Sequence, residues 1–429
     1  MAERWDVIVV GGGPAGGMAA QTAARAGLRA ILLEEHPEIG APAHCSGKLS
    51  VHAFREFGLP ASLIRTSLRA ATLYAPDGRA VTVRRREIDS HVVDRHVFDR
   101  WLAEQAQVAG AEVVLGARAR RVARVNGAMV VEAERRGGLV TFAAPVVIDA
   151  EGARTLLPAA LGLVQRRVLI HGLQYEMEGL HLDAADTPEL YFGREWAPGF
   201  FAWIMPTGEA SGRVGLCIDP RYTSRPPRYF LERLIAAHPM TARRARGARI
   251  VHRLVGRIPI LGRRVPTHAP GFLVAGDAAG HVKATSGGGI YFSLIAGHLA
   301  AEAAGAWIGG DASALSRYEQ AWRRRFGREL AFTSAVRRML NALPDADFSR
   351  MIRALIESAE LRQAVEDHGD TQYQSRLLGP LAGGLLHSWR QVVLVPPVLW
   401  AFLRGLAVLD GESADAGPAS RQAIRARSG

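Results

Sequence analysis

The run Gly11-Gly12-Gly13-Pro14-Ala15-Gly16 sets glycines at i, i+2 and i+5, directly after the β-branched stretch Asp6-Val-Ile-Val-Val10. A turn of this kind, closing a strand and opening a helix, can bring backbone N–H groups and a helix N-terminus up to a pyrophosphate. Gly11 would permit the tight turn, Gly13 the approach of backbone to phosphate, and Gly16 close packing of helix on strand, with Pro14 and Ala15 in the first helical turn. Glu34 follows the apolar run Ala30-Ile-Leu-Leu33, 34 − 16 = 18 residues past the last glycine. A carboxylate at about 20 residues can bond an adenosine ribose. Strand register favours Glu34 over Glu35 for that contact. A purely structural turn is the alternative in a chain with 46 glycines.

A second site candidate lies far downstream, where Ala275-Gly276-Asp277-Ala-Ala-Gly280 follows the apolar run from Phe272. A nicotinamide domain needs no carboxylate so late in the chain, whereas flavoproteins place an aspartate at such a strand end on the ribityl chain. The pair of motifs therefore predicts FAD; a helix N-cap at Asp277 is the alternative. Next comes Thr285-Ser-Gly287-Gly288-Gly289-Ile290. Three glycines let backbone reach a planar ring, and the helix that starts at Ile290 would turn its positive end toward the flavin N1–C2=O edge. A flexible loop is the alternative.

Taken together, the segment from Gly276 to Tyr291 resembles the flavin segment of the geranylgeranyl reductase family. Pro42-Ala-His-Cys45-Ser-Gly47 resembles that family's Pro-x-x-Cys-x-Gly element, and Phe201-Ala-Trp203-Ile-Met-Pro206 its aromatic-x-Trp-x-Phe-Pro element. The match runs in order over roughly residues 5 to 330. Met205 stands where the family usually has Phe, and Glu151-Gly152 where related flavoproteins carry Asp-Gly. The resemblance implies a fold similar to p-hydroxybenzoate hydroxylase and hydrogenation of isoprenoid C=C bonds by reduced FAD. It also implies that Arg95, in Val92-Val-Asp-Arg-His-Val-Phe-Asp99, reaches flavin phosphate or ribityl groups, and that Cys45 and Gly47 lie near the flavin ring.

An isolated alkene has no carbonyl to draw in a hydride, so transfer from flavin N5 needs a proton donor at the neighbouring carbon and a site that tolerates cationic charge. Cys45, beside His44, is the best acid candidate. Phe201 and Trp203 are two apart and share one face of a strand, so they can line an apolar tunnel and face that charge. Cys217, in Val-Gly-Leu-Cys-Ile218, reads as core. Arg243, Arg244, Arg246, Arg249, Arg253 and Arg257 form a basic run that could hold a diphosphate or phospholipid head, although a charged surface is the commoner meaning.

These residues need elements to hold them. The N-terminal strand, alanine-rich helix and second strand form a βαβ start, with Gly27 as helix C-cap. A helix from Val92 to Gly110, a strand over Val113–Leu115 and further strands to Ile148 continue it. Short alternating runs between Val168 and Ile218 predict an antiparallel sheet inserted into that domain, and Gly271-Phe-Leu-Val-Ala-Gly-Asp277 returns to it before the Ile290–Ala304 helix. The expected class is α/β: a discontinuous Rossmann-type FAD-binding domain (1–60, 90–165, 266–330), an inserted substrate-binding β-sheet domain (61–89, 166–265), a C-terminal helical region (331–410) and a disordered tail (411–429).

At 429 residues and 48% hydrophobic, the chain can bury a large core. The net charge of +12 comes almost wholly from arginine, since lysine occurs only at Lys48 and Lys283. No basic arm or zinc-finger spacing accompanies that charge, so nucleic acid is not expected, and no metal-ligand pattern stands out. Two cysteines and no signal peptide predict a reducing cytoplasm. Val392–Leu409 contains Pro396, Pro397, Arg404 and Gly405 and reads as an interfacial or buried segment, allowing peripheral contact with the inner face of the cell membrane. No second dinucleotide fingerprint is present, leaving NADPH, ferredoxin or another electron-donor protein as the reductant. A flavin monooxygenase or halogenase is the alternative function; against halogenation, both lysines are poorly placed for the active-site lysine such enzymes use.

Overall fold

The computed structural model describes residues 3–43, 45–163, 167–261 and 266–377. His44, the Val392–Leu409 stretch and the tail from 411 lie outside them.

Strand alternation builds the first core. In the run Val7–Val10 the side chains of Val7 and Val9 point to one face and those of Ile8 and Val10 to the other, and all four are buried. A strand buried on both sides belongs in the middle of a parallel sheet, and this one pairs in parallel with Ala30–Leu33 and Val146–Asp149. Phe272–Val274 and Glu112–Val114 extend the sheet in the same direction, and His268–Ala269 adds an antiparallel edge. Helices Pro14–Arg25, Arg95–Val108 and Ile290–Ile308 cover one face. A four-stranded sheet formed by Ala117–Val125, Ala128–Arg135, Gly138–Ala144 and Glu3–Arg4 covers the other.

The first helix starts where its sequence says it should, with Pro14 in the first turn, whose missing N–H would have had no partner there. It stops at Gly27, whose φ of +79° suits only glycine without strain; Gly27 N–H donates to the Ala24 carbonyl and Leu28 N–H to that of Ala23. The second helix is capped by Asp94, whose carboxylate accepts from His96 N–H at 3.0 Å.

The remaining long strands make a seven-stranded sheet, ordered Arg249–Leu261, Arg167–Glu178, Ser211–Ile218, Ala202–Gly208, Glu189–Tyr191, Ala70–Tyr74 and Ala80–Arg84. It is antiparallel except where Glu189–Tyr191 runs beside Ala70–Tyr74. Helix Pro227–Ala237 packs on one face through Phe230, Leu231 and Leu234. The other face carries Ile170, Gln174 and Glu176 from one strand and Trp203 and Met205 from another, turned toward the nucleotide-type domain. Three short strands, Lys48–Ser50, Ser90–Val93 and Ile64–Leu68, join the two large sheets. The fold is the mixed α/β arrangement expected, with helices Arg328–Ala342, Asp345–Glu357 and Ala359–His368 following it.

Candidate active site

The parallel strands Val7–Val10, Val146–Asp149 and Phe272–Val274 end at one edge, so the Gly11 turn, the Ala150-Glu151 segment and Gly276-Asp277 meet there. Gly11 has φ +100° and its α-carbon abuts the Ala150 carbonyl, which a Cβ would strike. Gly16 lies against the Gly11 carbonyl, where a Cβ would collide as well. Beyond Gly13 there is open space. The three glycines thus do three different things: one turns, one packs and one leaves room. Ala15 lies under Gly276, where a Cβ would come within 2.9 Å of its methyl, and Gly297 packs on its carbonyl.

Glu34 is buried, accepting from Gly12 N–H at 2.6 Å and from His36 N–H at 2.9 Å. It ties the glycine turn to the end of the second strand. Glu35 points away, pairing with Arg118 at 3.3 Å and Arg154 at 2.5 Å.

Asp277 belongs to a short 3-10 turn, Gly276–Ala279, whose N-cap position is Ala275, and among the described residues no N–H donates to its carboxylate. Its carboxylate faces Gly289, where a Cβ would come 3.1 Å from Oδ1. Burial pushes the Asp277 carboxyl above its ordinary range, opposed by the nearby Arg95 and Arg167 charges. Gly287, with φ +70°, abuts Ile258 and Phe200, and Gly288 abuts the Lys283 stem. Ile290 then begins the helix Ile290–Ile308, so its N-terminus stands beside Asp277 and the three glycines.

Cys45 is half buried, with Gly47 N–H donating to its sulfur at 3.3 Å. Gly47 has φ +79° and is pressed between the Val93 carbonyl and the Arg213 guanidinium. Arg95 is fixed by Asp99, at 2.9 Å through Nε and 2.6 Å through Nη2. Burial would lower its pKa, but Asp99 and Cys45 hold it above its ordinary value.

Gln174 joins the two halves. Its Nε2 donates to the Cys45 carbonyl at 3.4 Å and its Oε1 accepts from the Trp203 indole N–H at 3.2 Å. Trp203 lies flat because the neighbouring strand offers Gly215, where a Cβ would come 2.8 Å from the indole. Phe201 meets Trp203 edge-on, with ring centroids 5.9 Å apart, so the two do share a face. Cys217 is buried and its thiol is pushed up to about 12 by burial.

The basic run does not act as one patch. Arg244 is buried on Glu189 and Asp183, Arg249 pairs with Glu178, and Arg253 lies over the Tyr175 ring. The run spans a helix end and an edge strand, so its side chains diverge.

Comparison with known proteins fixes the lineage. The FAD dependent oxidoreductase profile matches residues 6–162, and the geranylgeranyl reductase catalytic domain profile matches 169–258. A digeranylgeranylglycerophospholipid reductase of Methanopyrus kandleri is 34% identical over 84% of this chain and 92% of its own length. The chain belongs to the geranylgeranyl reductase family. A geranylgeranyl bacteriochlorophyll reductase-like protein from Thermoplasma acidophilum superposes with a TM-score of 0.81 at 25% identity, covering 93% of this chain and all of that one. A flavin-dependent brominase, with a TM-score of 0.68 at 18% identity over 88% of this chain and 94% of its own, shares the fold alone.

As a geranylgeranyl reductase family member, the protein is an FAD-dependent oxidoreductase. Its residues suit that cofactor: the open space at Gly13 and the cramped glycines around it would accept a pyrophosphate where any side chain would intrude. Three features of this site escape sequence reading. Gln174 and Arg213 are polar residues inside strands; their only sequence signal is that they share an alternation face with other polar side chains. Lys283, inside the flavin segment, donates to the Thr371 carbonyl at 2.5 Å and to Gln372 Oε1 at 3.2 Å, drawing a distant C-terminal segment onto the loop.

Proposed function

We propose that this protein saturates C=C bonds in isoprenoid chains carried on a polar head, with FAD spread from the Gly11–Gly16 turn to the Gly287–Gly289 loop. The observation that carries this reading is the Cys45–Gln174–Trp203 link. It ties the loop that carries the Cys45 thiol to the Trp203 indole, and an unactivated alkene needs both a proton and a surface tolerant of positive charge.

In this reading Gly13 would admit the pyrophosphate, Glu34, which orients the turn through Gly12, would hold the adenosine ribose, and Asp277 would hold the ribityl chain. Backbone at Gly287, Gly288 and Gly289 would hold the ring, and the positive end of the helix that starts at Ile290 would stabilise negative charge on the reduced cofactor. When bound, the reduced cofactor supplies the hydride. Cys45 delivers the proton to the adjacent alkene carbon, and Arg95 stands where it would face the charge left on sulfur. Phe201 and Trp203 hold the chain and exclude water. NADPH, ferredoxin or another donor protein recharges the cofactor. Peripheral contact with a lipid surface belongs to the same reading, because such substrates reside there; among the described residues no helix is long and apolar enough to cross a membrane.

Incubating the reduced protein anaerobically with a geranylgeranyl phospholipid, followed by mass spectrometry, tests this function. Products heavier by pairs of hydrogens support it. Products that gain oxygen only once air is admitted would replace it with a monooxygenase.

A further inference from the structure

A second recess opens next to the glycine loop. It is small and open-sided, lined among others by Phe192, Phe200, Tyr222, Arg337, Asn341 and Phe348. Its walls mix aromatic and polar groups, and one of them is unusual, the buried side chain of Arg337. Nε donates to the Ala284 carbonyl at 3.0 Å and Nη2 to the Thr285 carbonyl, which fixes the side chain to the flavin segment. Among the described residues Nη1 reaches only the Gly199 carbonyl and Asn341 Oδ1, both at 3.5 Å. The plane lies over the Phe200 ring at 4.1 Å. Among the described residues no carboxylate forms an ion pair with it, and burial draws its pKa down to about 10. A buried cation with slack donors costs free energy unless an anion completes it.

The other charges pair off: Arg194 and Asp345 line the recess with one charge of each sign, and Asp219, whose field reaches Arg337, is bound by Arg221, so Arg337 supplies the excess positive charge. Asp345 turns its carboxylate to the Arg194 backbone N–H at 3.0 and 3.3 Å, and the Arg194 side chain donates to the Leu343 carbonyl at 3.2 Å. From the cavity a line of rings runs toward Cys45. Phe348 touches Phe192 at 4.6 Å, Phe192 touches Phe201 at 5.8 Å, and Phe201 touches Trp203 at 5.9 Å. An amphiphile with its head at Arg337 would lay its chain along those rings to the Gln174–Cys45 link.

We propose that this cavity binds the phosphate-bearing head of the prenyl substrate, with Arg337 as the group that recognises the phosphate; this rests on the isoprenoid reading above. A phosphate ester accepts bidentately from a guanidinium, and a neutral alcohol does not.

Asn341→Asp is the informative variant, because it sets a carboxylate beside Nη1 while leaving the bonds of Arg337 to the loop in place. Calorimetric titration of the FAD-loaded protein with geranylgeranyl phosphate and with geranylgeraniol reads the effect. The wild type should bind the phosphate roughly 10- to 100-fold more tightly, the range expected of a charge-assisted hydrogen-bonded pair. Asn341→Asp should erase that preference by weakening the phosphate alone, while Asn341→Ala, which adds no charge, should keep it. Arg337→Gln should lose it too, with flavin content measured alongside. Equal wild-type affinities, or a preference that Asn341→Asp leaves untouched, would overturn the phosphate site and leave the isoprenoid reading standing. Binding of neither compound would overturn both.

Discussion

Cys45 carries the proton in the proposed chemistry, and its surroundings explain why a small residue there can matter. Its carbonyl is held by Gln174 and its sulfur by Gly47 N–H, so the thiol is aimed and not free to wander. Cys45→Ala should retain FAD and lose roughly 10²- to 10⁴-fold in alkene reduction, the usual range for a general acid; turnover within a few-fold of wild type in a single-turnover assay would remove Cys45 from the mechanism. Gln174→Leu should raise KM and lower kcat together, since both the Cys45 loop and Trp203 lose their common partner. A second residue gives a prediction about stability. His281 is fully buried between the Trp322 and Phe326 rings, and neither ring nitrogen has a hydrogen-bond partner among the described residues. Burial pushes its pKa down to about 3. The unfolded chain therefore takes up the proton first: the contribution is intact above about 6.5 and is lost as pH falls toward 3. Between pH 6.5 and 5 this single group should cost on the order of 2 kcal/mol of stability. His281→Phe should flatten the pH dependence of the unfolding midpoint across that window; an unchanged slope would show that His281 is not its source.

At the scale of elements, the glycine turn separates fold from cofactor. Gly13→Ala meets open space at a φ of −77°, which alanine adopts readily, so the apoprotein should melt within a few degrees of wild type while FAD affinity drops at least about tenfold. Gly16→Ala puts a methyl into the Gly11 carbonyl and should instead destabilise the protein itself, by roughly 1–3 kcal/mol or more, as measured by denaturant unfolding. Equal effects of the two would contradict the division of roles. The same turn shows what was legible in the sequence. Strand, glycines, helix and Glu34 are near neighbours in the chain, and their spacing reports a local geometry. Trp203 and Phe201 were legible as a pair because strand period fixes a shared face. The short strands Lys48–Ser50 and Ile64–Leu68 were not read, because three to five residues carry too little alternation to stand out. Nor was the divergence of the arginine run, since spacing along the chain says nothing of a change from helix to edge strand. The link through Gln174 and the grip of Lys283 on Thr371 join residues remote in the chain, and no periodicity encodes such a pairing.

Across the whole molecule, the edge where the parallel strands end meets one face of the seven-stranded sheet, through bonds such as Arg167 to the Asp277 carbonyl and Gln174 to the Cys45 carbonyl, and the helices after residue 328 close the side. One sheet edge gathers the Gly11 turn, Glu34 and Asp277; the other sheet's face supplies Gln174, Trp203 and Phe201. In the proposed function their apposition holds a long planar cofactor and a long apolar chain at once; that a flavin-dependent brominase shares the fold shows that the architecture alone does not set the chemistry. The decisive observation is a direct electron transfer. The flavin of the purified, reduced protein should stay reduced in the absence of air and reoxidise when a geranylgeranyl phospholipid is added, with one double bond lost for each flavin reoxidised. A flavin that remains reduced with the lipid and reoxidises only on admitting oxygen would contradict the proposed function.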